Sequence, residues 1–275
     1  MLVTLNEALE DAQTKKYAVG LFNTVNLEMA KGVLAAAEEA CSPVIIGTAE
    51  ILLPAASLKE LAPLLRDMAQ RASVPVVLHF DHGLTEARVM EAIDLGFTSV
   101  MYDCSKKSAE KNADAVASLT EYAHRRGVTV EGELGHVGTA DGGDESVYTQ
   151  PEEALAFERS TGVDALAVAI GTAHGAYKSA PKLQLELLQK IAAAVSVPLV
   201  LHGGSGLTDQ DFRDVIHRGI AKVNIFTDIN TAAARAAHDA YADGKGMTDV
   251  MPCMVEAVKE EVLKKMQVFG SCGRA

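Results

Sequence analysis

Three histidines of this chain stand where apolar runs end. Val76-Val77-Leu78-His79-Phe80-Asp81-His82-Gly83 passes from β-branched residues to ionisable groups and a glycine within a few positions. Leu199-Val200-Leu201-His202-Gly203 does the same, and so does the run from Ala165 to Ile170 that continues as Gly171-Thr172-Ala173-His174-Gly175. Uniformly apolar runs of this length are what a parallel sheet buries on both faces, so the chemistry begins where each strand stops. Three imidazoles with an open fourth position are a catalytic zinc arrangement, the open position serving water or a substrate oxygen. His82, His174 and His202 are therefore read as ligands of one metal site, with Asp81 working beside it. His79 lies inside its strand and points with Asp81 by the period of two, which makes it a supporting residue. His124, His217 and His238 fall on helical segments and are read as ordinary surface or hydrogen-bonded residues.

The elements that must position these groups alternate regularly. A leading helix is expected over 6–14, and strands over 18–23, 43–48, 74–80, 99–103, 128–134, 165–170, 198–202 and 221–226. Helices are expected over 27–40, 58–71, 85–95, 109–126, 152–161, 183–194, 208–217, 230–242 and 251–269. Eight apolar strands alternating with helices predict a closed parallel (β/α)8 barrel, a TIM barrel, with an extra N-terminal helix and C-terminal helices; a doubly wound sheet is the structural rival. No linker or low-complexity segment interrupts residues 1–275, so a single domain is expected. The stretch 135–150 is rich in glycine and acids without an apolar period, long for a plain connection, and is a candidate active-site loop.

Barrel closure places the C-terminal ends of all strands on one rim, where active sites of this fold sit. His82, Asp103, Glu133, His174, His202 and the stretch 224–228 all fall there. The glycines Gly175, Gly203, Gly204 and Gly206 fall there too, and their bare backbone N–H groups suit a phosphate, to which Ser205 would add a hydroxyl. A tight turn alone would also explain such a glycine run.

Composition narrows the partners. The chain of 275 residues carries a formal net charge of −12, which argues against nucleic acid, and no apolar run approaches the ~18 residues of a membrane span. Cys41, Cys104, Cys253 and Cys272 show no paired spacing, which suits a reducing compartment, and the N-terminus carries acids and amides where a secretory signal would be apolar. A cytoplasmic enzyme acting on a small molecule is the expectation.

Five ordered motifs carry a resemblance that spans almost the whole chain. They are Leu78-His79-Phe80-Asp81-His82-Gly83, Glu131-Gly132-Glu133-Leu134-Gly135, Ala169-Ile170-Gly171-Thr172-Ala173-His174-Gly175, Leu201-His202-Gly203-Gly204-Ser205-Gly206 and Lys222-Val223-Asn224-Ile225-Phe226-Thr227-Asp228. Together they resemble the motif set of the class II, metal-dependent ketose-bisphosphate aldolases, of which the fructose- and tagatose-bisphosphate aldolases are the best known. The resemblance implies reversible cleavage of a ketose 1-phosphate or 1,6-bisphosphate into dihydroxyacetone phosphate and an aldehyde. It implies zinc on His82, His174 and His202, an alternative, more buried placement of the metal on Asp103 and Glu133, and a role for Asp81 at the proton of the C4 hydroxyl. It further implies substrate contacts at Asn23, Gly175, Gly203, Gly204, Ser205, Asn224, Ile225, Phe226 and Thr227, a monovalent cation (Na+ or K+) assisting there, and a homodimer or homotetramer.

The chain departs from the family pattern at four places. The loop base, usually Glu, aligns with Asp141, with Asp144 or Glu145 as substitutes. Asp103-Cys104-Ser105-Lys106-Lys107-Ser108 replaces an Asp-Gly-Ser stretch, Phe226 stands where smaller or polar residues are commoner, and Ala49 where some members have serine. The expectation is a retained reaction with an altered aldehyde partner. Arg274, near the C-terminus, is a further candidate phosphate contact. Two rival functions are a non-catalytic accessory barrel, which has no need of three histidines, and a metal-dependent hydrolase, which would place His-x-His where this chain has Phe22-Asn23-Thr24.

Overall fold

Parallel strands pair only when a crossover returns the chain to the same end, and the helices between the apolar runs supply that return. The computed structural model describes residues 1–140, 146–175, 177 and 180–275. Its strands are β1 (Leu2–Val3), β2 (Val19–Asn23), β3 (Val44–Ala49), β4 (Val76–Gly83), β5 (Ser99–Tyr102), β6 (Thr129–Leu134), β7 (Ala165–Val168), β8 (Leu199–Leu201) and β9 (Ile220–Ile225). They pair in the order β1-β4-β3-β2-β9-β8-β7-β6-β5, and a further β4–β5 pairing closes the ring. The result is the eight-stranded parallel TIM barrel that the alternation predicts, with β1 added outside it at Val76 and Val77.

The helices are α1 (Leu5–Leu9), α2 (Ala12–Lys15), α3 (Leu27–Ala40), α4 (Leu58–Arg71), α5 (Glu86–Asp94), α6 (Ala109–His124), α7 (Pro151–Thr161), α8 (Leu185–Ala194), α9 (Asp209–His217), α10 (Thr227–Ala242) and α11 (Met247–Phe269). Local chemistry sets their ends. Asn26 caps α3 by accepting from the Met29 N–H at 2.9 Å, Thr208 and Asp211 form a capping box on α9, and Gly162 and Gly270 close α7 and α11 in the left-handed conformation. No helix among the described residues is long and apolar enough to cross a membrane.

The elements differ from expectation at several ends. The leading helix is two short ones, the second following Asp11 and ended by Lys16 at φ 55°. The last helix begins at Met247, after Gly246, and carries Pro252 inside it at the loss of one backbone donor. Strand β4 runs three residues beyond its apolar run, through Asp81, His82 and Gly83. The base of the 135–150 loop is paired: His136 and Val147 exchange backbone hydrogen bonds of 2.8 and 2.9 Å.

Two apolar bodies hold the barrel. One lies between strands and helices, and the other fills the lower lumen with Leu21, Ile45, Val77, Ala165, Ala167 and Val200, floored by Leu5 and Leu9 of α1. Above this layer the same inward positions turn polar: Asn23, His79, Asp81, Glu131, Glu133, His202, Lys222 and Asn224 are all buried. An apolar plug thus sits beneath a charged floor at the C-terminal end of the strands.

Candidate active site

The period of two in β4 sends His79 and Asp81 into the lumen and Phe80 outward, where its ring meets Phe97 at 6.0 Å. His82 would follow Phe80 outward. Instead the β4–β5 register shifts between Phe80 and Gly83, and His82 has a φ of 42°, a left-handed conformation that a non-glycine residue adopts only under constraint. That irregularity turns the imidazole over the rim. His174 is fixed by its backbone, donating to the Gly138 carbonyl and accepting from the Ala140 N–H, both at 2.8 Å. His202 directly follows β8 and is fully buried.

The three rings meet edge to face, with centroids 4.5 Å (His82–His202), 4.9 Å (His82–His174) and 5.9 Å (His174–His202) apart. Each ring has an outer nitrogen pinned. Nδ1 of His82 lies 2.9 Å from Asp103 Oδ2, Nε2 of His202 lies 2.8 Å from Glu131 Oε1, and His174 bonds the Val137 backbone carbonyl. The inward atoms are then His82 Nε2, His202 Nδ1 and His174 Nε2. The first two are 2.8 Å apart, and the third is buried without a hydrogen-bond partner. Inward lone pairs so placed repel one another unless a cation or a proton lies among them. One ligand atom from each ring falls within 4.8 Å of the others, so the donor set fits a metal ion whose His ligands are oriented from behind.

The protonation states agree with this arrangement. Burial opposes charge on His82, but Asp81, Asp103 and Glu133 outweigh it and push its pKa up to about 10. His174 is pushed down to about 3 by burial and by the neighbouring His82 and His202. Burial and Asp103 together raise the pKa of Glu133.

Asp81 sits at the floor of the site, 2% exposed. Its Oδ2 accepts from Asn23 Nδ2 at 2.7 Å and its Oδ1 from Asn224 Nδ2 at 3.1 Å. Burial works against its charge, yet His82, His202, Lys222 and His79 together hold the carboxyl well below the usual carboxylate range. His79 supports from below: its Nδ1 meets Ser99 Oγ at 2.8 Å, and burial, then Lys222, lower its pKa to about 4. Gly47, opposite His79, leaves room there, since a Cβ would lie 2.2 Å from the His79 carbonyl oxygen.

The wall formed by the loops after β7, β8 and β9 is rich in glycine. Gly203 has φ 66°, and a Cβ on it would lie 2.4 Å from the Ala173 carbonyl oxygen, so only glycine suits that turn. Tyr177 ties two of these loops, its hydroxyl accepting from Ala173 N–H and donating to the Gly203 carbonyl, both at 2.8 Å. Ser205 Oγ accepts from the backbone N–H groups of Phe226 (3.3 Å) and Asp228 (3.4 Å). Together these walls enclose a cavity of about 480 Å³, a size suited to a small ligand.

The expected site residues among the described ones lie in or against this cavity, Gly206 and Arg274 excepted. Asn23, Asp81, His82, Asp103, His174, Gly175, Gly203, Gly204, Ser205, Asn224, Ile225, Phe226 and Thr227 line it, and His202 and Glu133 lie buried beneath. Asp103 is committed to His82 through Oδ2 and to Ser105 through Oδ1 at 2.7 Å, whereas Glu133 keeps Oε2 unpartnered 3.5 Å from His202 Nδ1. His82, Asp103 and Glu133 also come close enough to share an ion. Asp141, with Asp144 and Glu145, lies outside the described residues. Arg274 is not at the rim: its guanidinium lies 5.3 Å from the Tyr17 ring, next to the N-terminal end of β2. His124, set aside as non-functional, pairs with Asp164 at 2.8 Å.

The sequence reading passed over Lys222, Glu131, His136 and Tyr177. Lys222 and Glu131 were visible as charges at inward positions of apolar strands, a pattern that signals a buried pair. His136 follows β6 at the rim, where Ser105 Oγ joins its Nδ1 at 3.0 Å. Tyr177 acts through loop geometry and leaves no pattern in sequence.

Residues 3–274 match the family model described as class II fructose-bisphosphate aldolase. A fructose-bisphosphate aldolase of Staphylococcus epidermidis is 39% identical over 288 residues, covering 100% of this chain and 99% of that protein. YdjI of Escherichia coli K12 is 40% identical over 279 residues, with both chains fully covered. The crystal structure of the YdjI aldolase superposes with a TM-score of 0.93 at 39% identity, covering 100% of each chain. A Campylobacter jejuni fructose-bisphosphate aldolase, at 22% identity and TM-score 0.83 over 100% of this chain and 97% of that one, shares the fold. With three imidazoles turned onto one point of a TIM-barrel rim and a family match along nearly its full length, the chain belongs to the class II fructose-bisphosphate aldolase family.

Proposed function

We propose that the chain cleaves a ketose 1-phosphate or ketose 1,6-bisphosphate reversibly into dihydroxyacetone phosphate and an aldehyde, with zinc held by His82, His174 and His202. The observation that supports this most directly is the convergence of His82 Nε2, His202 Nδ1 and the unpartnered His174 Nε2 beside an ionised Asp81. Bound zinc supplies Lewis acidity toward the substrate's carbonyl and adjacent hydroxyl oxygens, the stabilisation that negative charge next to a carbonyl requires.

Asp81 handles the proton at C4. In cleavage its carboxylate takes the proton of the C4 hydroxyl as the C3–C4 bond breaks. The C4 oxygen becomes the aldehyde carbonyl, and the bonding pair passes to C3 of the dihydroxyacetone phosphate half, which takes a proton from the loop acid assigned to Asp141, outside the described residues. In condensation the same group returns the proton. Asn23 and Asn224 aim the carboxylate, and Asn23 Oδ1, buried without a partner, is placed to accept from a substrate hydroxyl. Gly175, Gly203, Gly204, Ser205 and residues 224–227 receive the phosphate of the dihydroxyacetone half through backbone N–H groups.

The aldehyde half then faces the loops after β3, β4 and β5, across the cavity from the glycines. Ala49, Ile51, Leu52 and Leu84 line that side with Lys106, the one lysine or arginine among the described lining residues. Two departures from the family pattern, Ala49 and Lys106, line that side, which supports a retained reaction with an altered aldehyde, while the third, Phe226, lines the opposite wall.

The test is elemental analysis for metal, with retro-aldol activity assayed on a panel of ketose 1-phosphates and 1,6-bisphosphates before and after EDTA. Stoichiometric zinc and chelator-sensitive cleavage are expected. Metal-free protein inert on the whole panel, before and after zinc addition, would refute the reading.

A further inference from the structure

Beneath the floor of the site lies a lysine that touches neither the cavity nor solvent. Lys222, in β9, is fully buried, with Nζ 2.6 Å from Asn224 Oδ1 and 2.8 Å from Glu131 Oε2, the latter an ionic contact rather than an aligned hydrogen bond. Each partner reaches up to a different working group. Asn224 Nδ2 donates to Asp81 Oδ1 at 3.1 Å, and Glu131 Oε1 lies 2.8 Å from His202 Nε2.

We propose that Lys222 is a positioning residue that sets the donor and acceptor polarity of both chains, aiming Asn224 at Asp81 and fixing the tautomer of His202. An ammonium has only donors. It therefore holds the carbonyl end of the Asn224 amide, and the flipped amide would set NH₂ against NH₃⁺ while turning an oxygen onto the Asp81 carboxylate. The NH₂ group is thereby kept where Asp81 needs a donor. On the other branch the ammonium keeps Glu131 an anion, which accepts the Nε2–H of His202 and leaves Nδ1 bare and pointing into the site. One charge below the floor thus governs the acid/base group and one of the rings proposed to hold metal. This inference rests on the proposed function of the site.

Two other readings of the residue fit less well. His79, Asp81 and Glu131 come close enough together to share a metal ion, but the Lys222 ammonium already lies against Glu131 and supplies the positive charge from the protein itself. A purely structural role is poorly motivated, since replacing a buried ion pair by apolar groups is often neutral or stabilising.

The experiment compares wild type, Lys222→Met and the double variant Lys222→Met/Glu131→Gln, which strands no charge and replaces the anion facing His202 by an amide that can present either its oxygen or its NH₂. Zinc affinity is read by competition with a chromophoric chelator, thermal midpoint by calorimetry, and kcat and KM on the best sugar of the panel. Both variants are expected to bind zinc about 10–100-fold more weakly, as changes behind a metal ligand commonly do. They should also lose at least tenfold in kcat with KM within threefold, because Lys222 meets no substrate. A folded variant of either kind with zinc affinity and kcat within threefold of wild type overturns the proposal, whatever its thermal midpoint. If Lys222→Met does not fold, the double variant decides. A wild-type chain with neither zinc affinity nor activity overturns the reading of the site and this inference with it.

Discussion

His82 Nε2 and His202 Nδ1 face each other at 2.8 Å across 120 residues of chain, each with its other nitrogen given to a carboxylate. Without metal the contact needs a proton. The raised pKa of His82, about 10, keeps that proton bound throughout the neutral range, and an entering metal ion must expel it. Zinc binding to the metal-free protein at pH 7.5 should therefore release about one proton, measured by calorimetry in buffers of different ionisation enthalpy. Because the folded pKa lies above the working pH, the apparent affinity should fall by about tenfold per unit of acidification from pH 9 to 7. Heats identical in all buffers would contradict this.

The roles proposed for His174 and Asp81 are separable by substitution. His174→Ala removes an inward nitrogen and should abolish zinc retention through gel filtration, with activity lost in step. Asp81→Asn should keep the metal while slowing turnover by about 10²–10⁴-fold, the usual scale for a positioned acid/base group. Wild-type turnover in Asp81→Asn would remove the proton-transfer role assigned to it.

The left-handed backbone at His82 should be measurable as stability. In metal-free protein, His82→Asn and His82→Val both lose the imidazole, but asparagine tolerates φ 42° and a β-branched side chain does not. Urea unfolding should find the valine variant less stable by about 1–2 kcal/mol, the cost of a left-handed residue. Equal midpoints would show that the strand end relaxes.

Gly203→Ala tests the phosphate wall. A methyl group there meets the Ala173 carbonyl oxygen at 2.4 Å in a conformation already unfavourable for alanine. A stability loss of about 1–3 kcal/mol is expected. KM for the ketose phosphate should rise, and because Gly203 directly follows His202 and its methyl would press on Ala173 beside His174, zinc retention should fall with it. Unchanged KM would move the phosphate elsewhere.

Much of the barrel was legible because parallel strands buried on both faces read as apolar runs, and helices with polar outer faces separate them. The rim positions of His82, His174 and His202 followed from strand ends alone. Other features carried no such signal. Leu2–Val3 is too short to show a period, and the break at Glu10 and Asp11 in the leading helix involves no side-chain cap that sequence could display. Regular alternation would have put His82 beside Phe80 on the outer face, and only the shifted pairing with β5 explains its inward turn. The importance of Lys222 depends on partners from β6 and β9 meeting across the lumen, which strand patterns do not specify.

The switch of faces in β4 occurs in its last residues, after the sheet register with β3 has run unbroken from Val44↔Val76 to Ala49↔Asp81. The scaffold and the working rim are thus written in successive, separable parts of one strand. Leu84, Ile51 and Lys106, on the side of the cavity proposed for the aldehyde half, all lie outside the staves of the barrel. Substitutions at these rim positions can therefore reshape the cavity one residue at a time without reopening the question of how the chain folds.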